Sequence, residues 1–396
     1  MITYLGFRNF FSFKEGAEID FRLDRRVLDS VPNHNGVSYL MGIKGGNASG
    51  KTNIIRAIGF LANFISESGK QVIGKKIQAD QFFDSKEPSE FIIEFNVNDV
   101  DYKYELIVDR NMVHKESLSK KVKRETLVFE RDFSVVTKCL KTMDEVKKIK
   151  LKDNASLIGL VEIYNFSSNV SDLKIVFDYF NNYLCNVGYA GLSEEFFFSD
   201  KQAISKFYYE NENVKELTAD FLKLIDPSIV DFKVLTDDDG KSGSGESESI
   251  RYFPMFIHKH NDKVHDLTIH DESNGVKALY NHLCSYWFSI ATGGVIAIDE
   301  FDIHLHAMIL PKILELFELP EVNKKNAQFI FTAHNTEIMD YLGKYRTVLV
   351  DKNNAESYCY KLDEMPSDVI PNTILRGDRK ISGLYMKKKL GGVPLV

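Results

Sequence analysis

The stretch Gly45-Gly46-Asn47-Ala48-Ser49-Gly50-Lys51-Thr52 fits the pattern G-x-x-x-x-G-K-[ST], and its reading decides how the rest of the chain is read. The apolar run Val37 to Ile43 precedes it and predicts a buried strand. Asn53 to Leu61 follows with apolar residues at helical spacing. In such a strand–loop–helix, successive backbone N–H groups turn inward as an anion nest, and the helix N-terminus adds partial positive charge. Gly45, Asn47, Ser49 and Gly50 are therefore expected to cradle phosphates, with Lys51 on the β- and γ-phosphates and Thr52 on Mg²⁺. The implied ligands are ATP and Mg²⁺. The pattern arises by chance in roughly one or two chains in a hundred of this length, so other elements have to support it.

Three do. Gly294-Val-Ile-Ala-Ile-Asp-Glu300 reads as a buried β-branched strand ending in two carboxylates. Asp299 is placed to reach the Mg²⁺ shell and Glu300 to orient an attacking water, or the pair is simply the solvated end of a parallel strand. Gln328 to Thr332 predicts a further strand, and His334 lies just beyond its C-terminal end, where ligands bind in doubly wound sheets. Asp271-Glu272-Ser273-Asn274-Gly275-Val276-Lys277 precedes a helical stretch, Ala278 to Ser289. Ser273, Asn274 and Gly275 can form a second anion site there or serve only as a helix cap.

Composition sets the outer limits. The chain has 396 residues, 44% hydrophobic and 27% charged, enough for one large core or two smaller ones. No run of eighteen apolar residues occurs, so no membrane partner is expected, and the N-terminus lacks the basic and apolar regions of a signal peptide. A cytoplasmic location is the expectation. Cys139, Cys185, Cys284 and Cys359 are scattered without a CxxC pair, which indicates buried thiols rather than a zinc knuckle or a disulfide framework. A formal net charge of −7 argues against nonspecific adhesion of the whole surface to nucleic acid, while leaving room for a local basic groove.

The order of these motifs, with Phe301-Asp302-Ile303-His304-Leu305-His306 after the Asp-Glu strand and Phe331-Thr-Ala-His334 after the next, resembles the ABC-type ATPases of the RecF/SMC/OLD group. More closely, it resembles the stand-alone AAA/ABC-type ATPases of bacterial phage-defence operons such as the PARIS and AbiL systems. Phe7 to Phe13 is similar to the family's first strand, and Glu87 to Phe95 with Tyr102 to Tyr104 resembles its antiparallel lobe. Phe221 to Phe232 and Gly383 to Pro394 look like further landmarks. The resemblance implies an α/β fold, an ABC-type P-loop ATPase head with an antiparallel N-terminal lobe and a helical insertion. It also implies an ATP-bridged homodimer or higher homo-oligomer in which Ser273 to Gly275 cap the γ-phosphate bound to the other subunit. His334 would serve as a switch histidine. The chain departs from the family in two places: Ala307 follows Leu305-His306 where a proline is common, and Gln78 and Gln81 both stand as candidates for the Q-loop residue.

The expected organisation is a first ATPase lobe over 1–135, a helical insertion over 136–235 and a second ATPase lobe over 236–396. Leu173 to Leu184 and Val214 to Ile225 carry the insertion's helical spacing. No sustained heptad predicts a coiled-coil arm. Thr236 to Ser249 reads as a flexible Gly/Ser/acid loop, followed by a strand pair over Ile250 to Ile257 and Lys263 to Ile269. About sixty residues after His334 are too few for a fused nuclease domain, so any effector is expected to be a separate protein. Asp302, His304 and His306 admit a metal-site reading but follow the Asp-Glu strand directly. Lys120, Lys121, Lys123 and Arg124, with Lys147, Lys148, Lys150 and Lys152, form clusters that could track a phosphate backbone or form a solvated face, and the Arg376 to Lys389 tail is basic too. The reading that results is an ATP-hydrolysing switch or sensor in antiviral defence, acting on a separately encoded effector, a nuclease for preference. The alternative is a RecF-like ATP-dependent clamp on DNA in repair.

Overall fold

The computed structural model describes residues 1–25, 27–193, 201–237, 250–365 and 380–393, and gives the backbone alone for Lys201 and Asp237. The fold is α/β. It divides into two compact units: 1–193 with 289–301 and 314–396, and 194–288 with 302–313.

A six-stranded sheet carries the first unit, in the order Leu184–Cys185, Val295–Ile298, Gln328–Thr332, Leu40–Gly45, Thr347–Asn353, Glu356–Lys361. All neighbours are parallel except the last pair. Val295–Ile298 and Gln328–Thr332 are buried at every position, as expected of strands covered on both faces, which read as continuous apolar runs. The helix Lys51–Glu67 follows Leu40–Gly45 directly across the glycine loop. Val37 and Ser38 belong instead to a short hairpin with Asn33 and His34, so the P-loop strand starts at Leu40.

The second sheet is antiparallel and seven-stranded, running Val135–Cys139, Glu125–Asp132, Val113–Lys121, Val100–Val108, Ser89–Val97, Ile2–Arg8, Ala17–Asp20. Asn98 and Asp99 close a two-residue hairpin with φ of 52° and 60°, the left-handed conformation that such turns favour and that Asn and Asp tolerate. Phe91, Ile93 and Phe95 alternate inward with Glu90 and Glu94 outward. Phe91 meets Phe60 of the P-loop helix at 4.9 Å between centroids and Phe10 at 5.1 Å. This aromatic cluster seats the P-loop helix against the sheet. Gln328 joins the two sheets: its amide accepts from Ile2 N at 2.6 Å and donates to Ile2 O at 3.0 Å and Ser38 O at 2.9 Å.

Several sequence expectations change. The first strand is Ile2–Arg8, not Phe7–Phe13: Asn9 and Phe11 take positive φ, and Phe10 pairs with Phe13 in a tight turn. Residues 136–193 do not form part of a separate insertion. Val135–Cys139 completes the antiparallel sheet, and the fully buried Glu116–Arg131 pair is satisfied by the loop that follows, through Ala155 O, Ser156 Oγ and Leu157 N. A buried charge pair is tolerable only with such hydrogen bonds, so this loop is tied to the sheet. The second unit is mixed rather than helical. Helices Lys201–Glu210 and Glu212–Ile225 and the start of Asn274–Thr292 accompany a three-stranded antiparallel sheet of Ile229–Asp237, Arg251–His260 and Lys263–Thr268. Tyr208, Phe232, Phe256 and Tyr280 form its core. The compact units therefore follow limits other than 135/136 and 235/236. Most of the Thr236–Ser249 loop, the start of the Arg376–Lys389 tail and Pro394 lie outside the described residues.

Candidate functional site

The loop 45–50 is shaped by what packs behind it. A Cβ on Gly45 would meet Val350 O at 2.3 Å, and one on Gly50, at φ +114°, would meet Ser357 Oγ at 2.5 Å. Both positions thus require glycine. Ala48 also takes positive φ, at 61°. Asn47 is exposed at the tip, whereas Ser49 is buried and its hydroxyl has no hydrogen-bond partner. A buried orphan hydroxyl carries a desolvation cost, and one in a glycine cradle at a helix N-terminus fits a phosphate oxygen. Lys51 Nζ lies across the loop, donating to Gly45 O and Gly46 O at 3.0 Å each.

Asp299 is the hub. Its carboxylate accepts from Thr52 Oγ1 at 2.6 Å and from Thr332 Oγ1 at 2.5 Å. Its backbone is clamped by Asn186, whose Nδ2 donates to Asp299 O at 2.9 Å and whose Oδ1 accepts from Asp299 N at 2.8 Å. Glu300 turns away from the strand at φ 56°, and its amide donates to Thr332 Oγ1 at 2.9 Å. Glu300 Oε1 then stands 3.4 Å from His334 Nε2. The buried Lys44 donates to Ala333 O at 3.0 Å and to His334 O, holding the loop that carries the histidine. The structure thus gathers Lys51, Thr52, Asp299, Glu300 and His334 at the C-terminal ends of three adjacent strands. The pairing of Val295–Ile298 with Gln328–Thr332, and of that strand with Leu40–Gly45, brings them there.

A paired hydroxyl and carboxylate of this kind suits a hard divalent cation such as Mg²⁺, and the cradle beside it suits a polyphosphate. Behind the P-loop helix, Ser12 Oγ accepts from Asn53 Nδ2 at 2.7 Å and from Ser357 Oγ at 2.8 Å. Phe11 lies under the Arg56 guanidinium at 4.2 Å. Burial lowers the pKa of Arg56, opposed by the negative charge of Asp299. Of the Q-loop candidates, Gln78 is exposed, while the Gln81 amide nitrogen is buried without a partner. Its neighbour Asp80 accepts from Phe11 N at 2.8 Å, which links that loop to the turn bearing Ser12.

Sequence reasoning passed over Thr332, Asn186, Lys44, Ser12 and Ser357. Thr332 carried a usable signal, a hydroxyl closing the strand directly before Ala333-His334. Asn186 carried none, since it lies 113 residues from its partner.

Ser273, Asn274 and Gly275 belong to the other compact unit. Ser273 Oγ accepts from Val276 N at 3.3 Å, capping the helix Asn274–Thr292, and Ser273 and Asn274 are exposed. After Asp302, the side chains of Ile303, His304, His306 and Met308 are exposed, and His306 Nδ1 accepts from Met308 N at 3.3 Å. Among the described residues, no group of three His, Cys, Asp or Glu side chains is arranged to hold a metal. The four cysteines are free, with Cys284 buried and the others half-buried. Burial pushes the Cys185 thiol up to about 12. Lys120 pairs with Asp172 at 2.8 Å and Lys152 caps Gly69 O and Gln71 O, whereas Lys121, Lys123 and Arg124 are exposed. Among the described residues, no helix is long and apolar enough to cross a membrane.

The profile of the family described as "AAA domain, putative AbiEii toxin, Type IV TA system" matches residues 40–340, more than half of the chain. No curated protein matches. Among solved structures, the SMC head domain from Thermotoga maritima is 16% identical, with 91% of this chain and 98% of that chain covered and a TM-score of 0.42. The Smc head domain with an extended coiled coil bound to the C-terminal domain of ScpA, from Pyrococcus furiosus, is 15% identical, with 91% and 96% covered and a TM-score of 0.46. The Smc head domain with a coiled coil and joint from Pyrococcus yayanosii is 12% identical, with 91% and 96% covered and a TM-score of 0.43.

Proposed function

The chain belongs to the AAA-domain family described for the AbiEii toxin and the Type IV TA system, and from that premise we propose that it is an ATP-hydrolysing switch in antiviral defence that controls a separately encoded effector. The family description names a toxin–antitoxin system, which supports a two-component arrangement. A nuclease is the effector class that the sequence resemblance implies.

The observation that carries the reading is the convergence of Thr52, Asp299, Thr332, Glu300 and His334 through contacts of 2.5 to 3.4 Å beside the P-loop. In this reading the loop amides and Lys51 bind the phosphates of ATP, and Thr52 and Asp299 would hold Mg²⁺, which would neutralise charge on the phosphate oxygens. Glu300 orients and polarises the attacking water, and His334 reads the γ-phosphate. Phosphoryl transfer is mostly positioning and charge stabilisation, which a fixed constellation of this kind can supply. Ser273 to Gly275 of one subunit cap the nucleotide of another, so ATP closes a homodimer and hydrolysis opens it.

The test uses Glu300→Gln, which should bind ATP but release phosphate at least about 100-fold more slowly, and Lys51→Ala, which should weaken ATP binding itself. Native mass spectrometry of Glu300→Gln, expressed with its neighbouring genes, should show an ATP-dependent homodimer with a stoichiometric second protein. A lone homodimer carrying DNA would instead favour the clamp on DNA. Undiminished turnover in Glu300→Gln would remove the catalytic assignment.

A further inference from the structure

The residue before the exposed Ser273 is Glu272, and it is buried at 7% exposure. Its Oε1 lies 2.7 Å from His258 Nε2, on the central strand Arg251–His260 of the three-stranded sheet. His258 Nδ1 lies 2.8 Å from Ser228 Oγ, and Ser228 donates to Asp226 Oδ1 through its hydroxyl at 2.7 Å and its amide at 2.9 Å.

The protons in this chain can be counted. Burial works to raise the Asp226 pKa, but the Ser228 hydroxyl and amide outweigh it and hold the carboxyl below the usual range. An ionised carboxylate only accepts, so the single Ser228 hydroxyl proton is committed to Asp226. The Ser228 oxygen faces His258 Nδ1 and Glu272 Oε1 faces Nε2, which makes His258 a bridge between two carboxylate-anchored ends. Across the strand pair it is registered with His265.

Other ties in the same connection are local. Thr268 donates to Asp271 through its amide and hydroxyl, Lys277 Nζ donates to His270 O, and Ser273 caps Val276 N. Of these ties, only Glu272–His258 reaches the central strand. We propose that His258 and Glu272 are a positioning pair that sets the orientation of Ser273 and the N-terminus of its helix, and so governs nucleotide turnover without touching nucleotide. The inference rests on the reading that Ser273 to Gly275 complete the site of a second subunit.

The experiment compares full-length wild type, Glu272→Gln, His258→Leu, their double variant and Ser273→Arg. It follows ATP affinity by fluorescent-nucleotide titration, ATP-dependent dimerisation by sedimentation, and kcat and KM for ATP. Glu272→Gln is isosteric and keeps the test usable if His258→Leu is poorly folded. The expected result is ATP affinity within about twofold of wild type, kcat reduced at least tenfold, and a weaker ATP-dependent dimer in each single variant. The double variant should be no worse than the singles, since each breaks the same link. A merely structural role would instead lower ATP affinity and folded fraction together. Turnover within twofold of wild type in Glu272→Gln, while Ser273→Arg abolishes it, overturns the positioning pair alone. Full turnover in Ser273→Arg overturns the two-subunit reading and the pair with it.

Discussion

Thr332 Oγ1 donates to Asp299 Oδ1 at 2.5 Å while accepting the Glu300 amide at 2.9 Å. One hydroxyl at the end of a central strand therefore aims the Asp299 carboxylate and fixes the backbone of Glu300. Thr332→Val keeps the shape and removes both bonds. Turnover should fall about 10- to 100-fold through misplacement, with stability lowered by about 1–3 kcal/mol for the unpaired groups. A Mg²⁺ titration of ATPase activity should also shift to higher concentration. Wild-type turnover in this variant would mean that Asp299 is held adequately by Thr52 and Asn186 alone.

Lys44 acts one step further out. Its ammonium holds Ala333 O and His334 O from a position 5% exposed, next to the Tyr385 ring at 5.7 Å. Lys44→Met should leave ATP affinity within about threefold and lower kcat about tenfold, because the His334 loop loses its anchor and the P-loop does not. Lys44→Arg should recover part of the loss. A fall in affinity matching the fall in kcat would place the effect in the P-loop strand instead.

His282 predicts an acid limb of stability. Burial, helped by the charge of His304, lowers its pKa from 6.5 to about 3. The unfolded chain takes up this proton more readily than the folded one, so the contribution is fully present above about pH 6.5 and is lost as pH falls from there toward about 3. The loss across that window is on the order of a few kcal/mol. Urea midpoints measured at pH 7 and pH 5 should therefore differ less for His282→Gln than for wild type. An equal decline in both proteins would assign the acid limb to other groups.

Gln328 is 1% exposed and serves Ile2 N, Ile2 O and Ser38 O. Gln328→Leu would leave three buried backbone groups unpaired, and a loss of about 2–4 kcal/mol should follow. Thermal melting would register it. Because the residue sits at the opposite end of its strand from Thr332, kcat at low temperature should be preserved. A melting temperature equal to that of wild type would show that water replaces the amide.

Local chemistry made much of the site legible. The G-x-x-x-x-G-K-[ST] spacing dictates its own strand, loop and helix, since only glycine fits at 45 and 50. The β-branched apolar run before Asp299 reads as a doubly covered strand, and it is one. The antiparallel lobe was implied by the family resemblance of Glu87 to Phe95, where the structure shows Phe91, Ile93 and Phe95 alternating with Glu90 and Glu94. Apolar spacing over Leu173 to Leu184 identifies a helix but not the unit that buries it, and the compact units have other limits than that spacing implies. The helix is Ser171–Asn181, and Leu184 has already entered the parallel sheet beside Ile296.

The sequence by itself determined the glycine loop and the helix that follows it, because those demands are met within a few residues of backbone. It also determined that Asp299, Glu300 and His334 close the ends of buried strands. Only the tertiary structure decided that Gln328–Thr332 lies between the Asp299 strand and the P-loop strand, which makes Thr332 the shared partner of both acids. It alone placed Asn186 on the Asp299 backbone and His258 on Glu272. Strand order and such distant polar contacts are set by how long crossovers close and by which buried polar groups must be satisfied together. That requirement acts between segments far apart in the chain and leaves no period or motif in either.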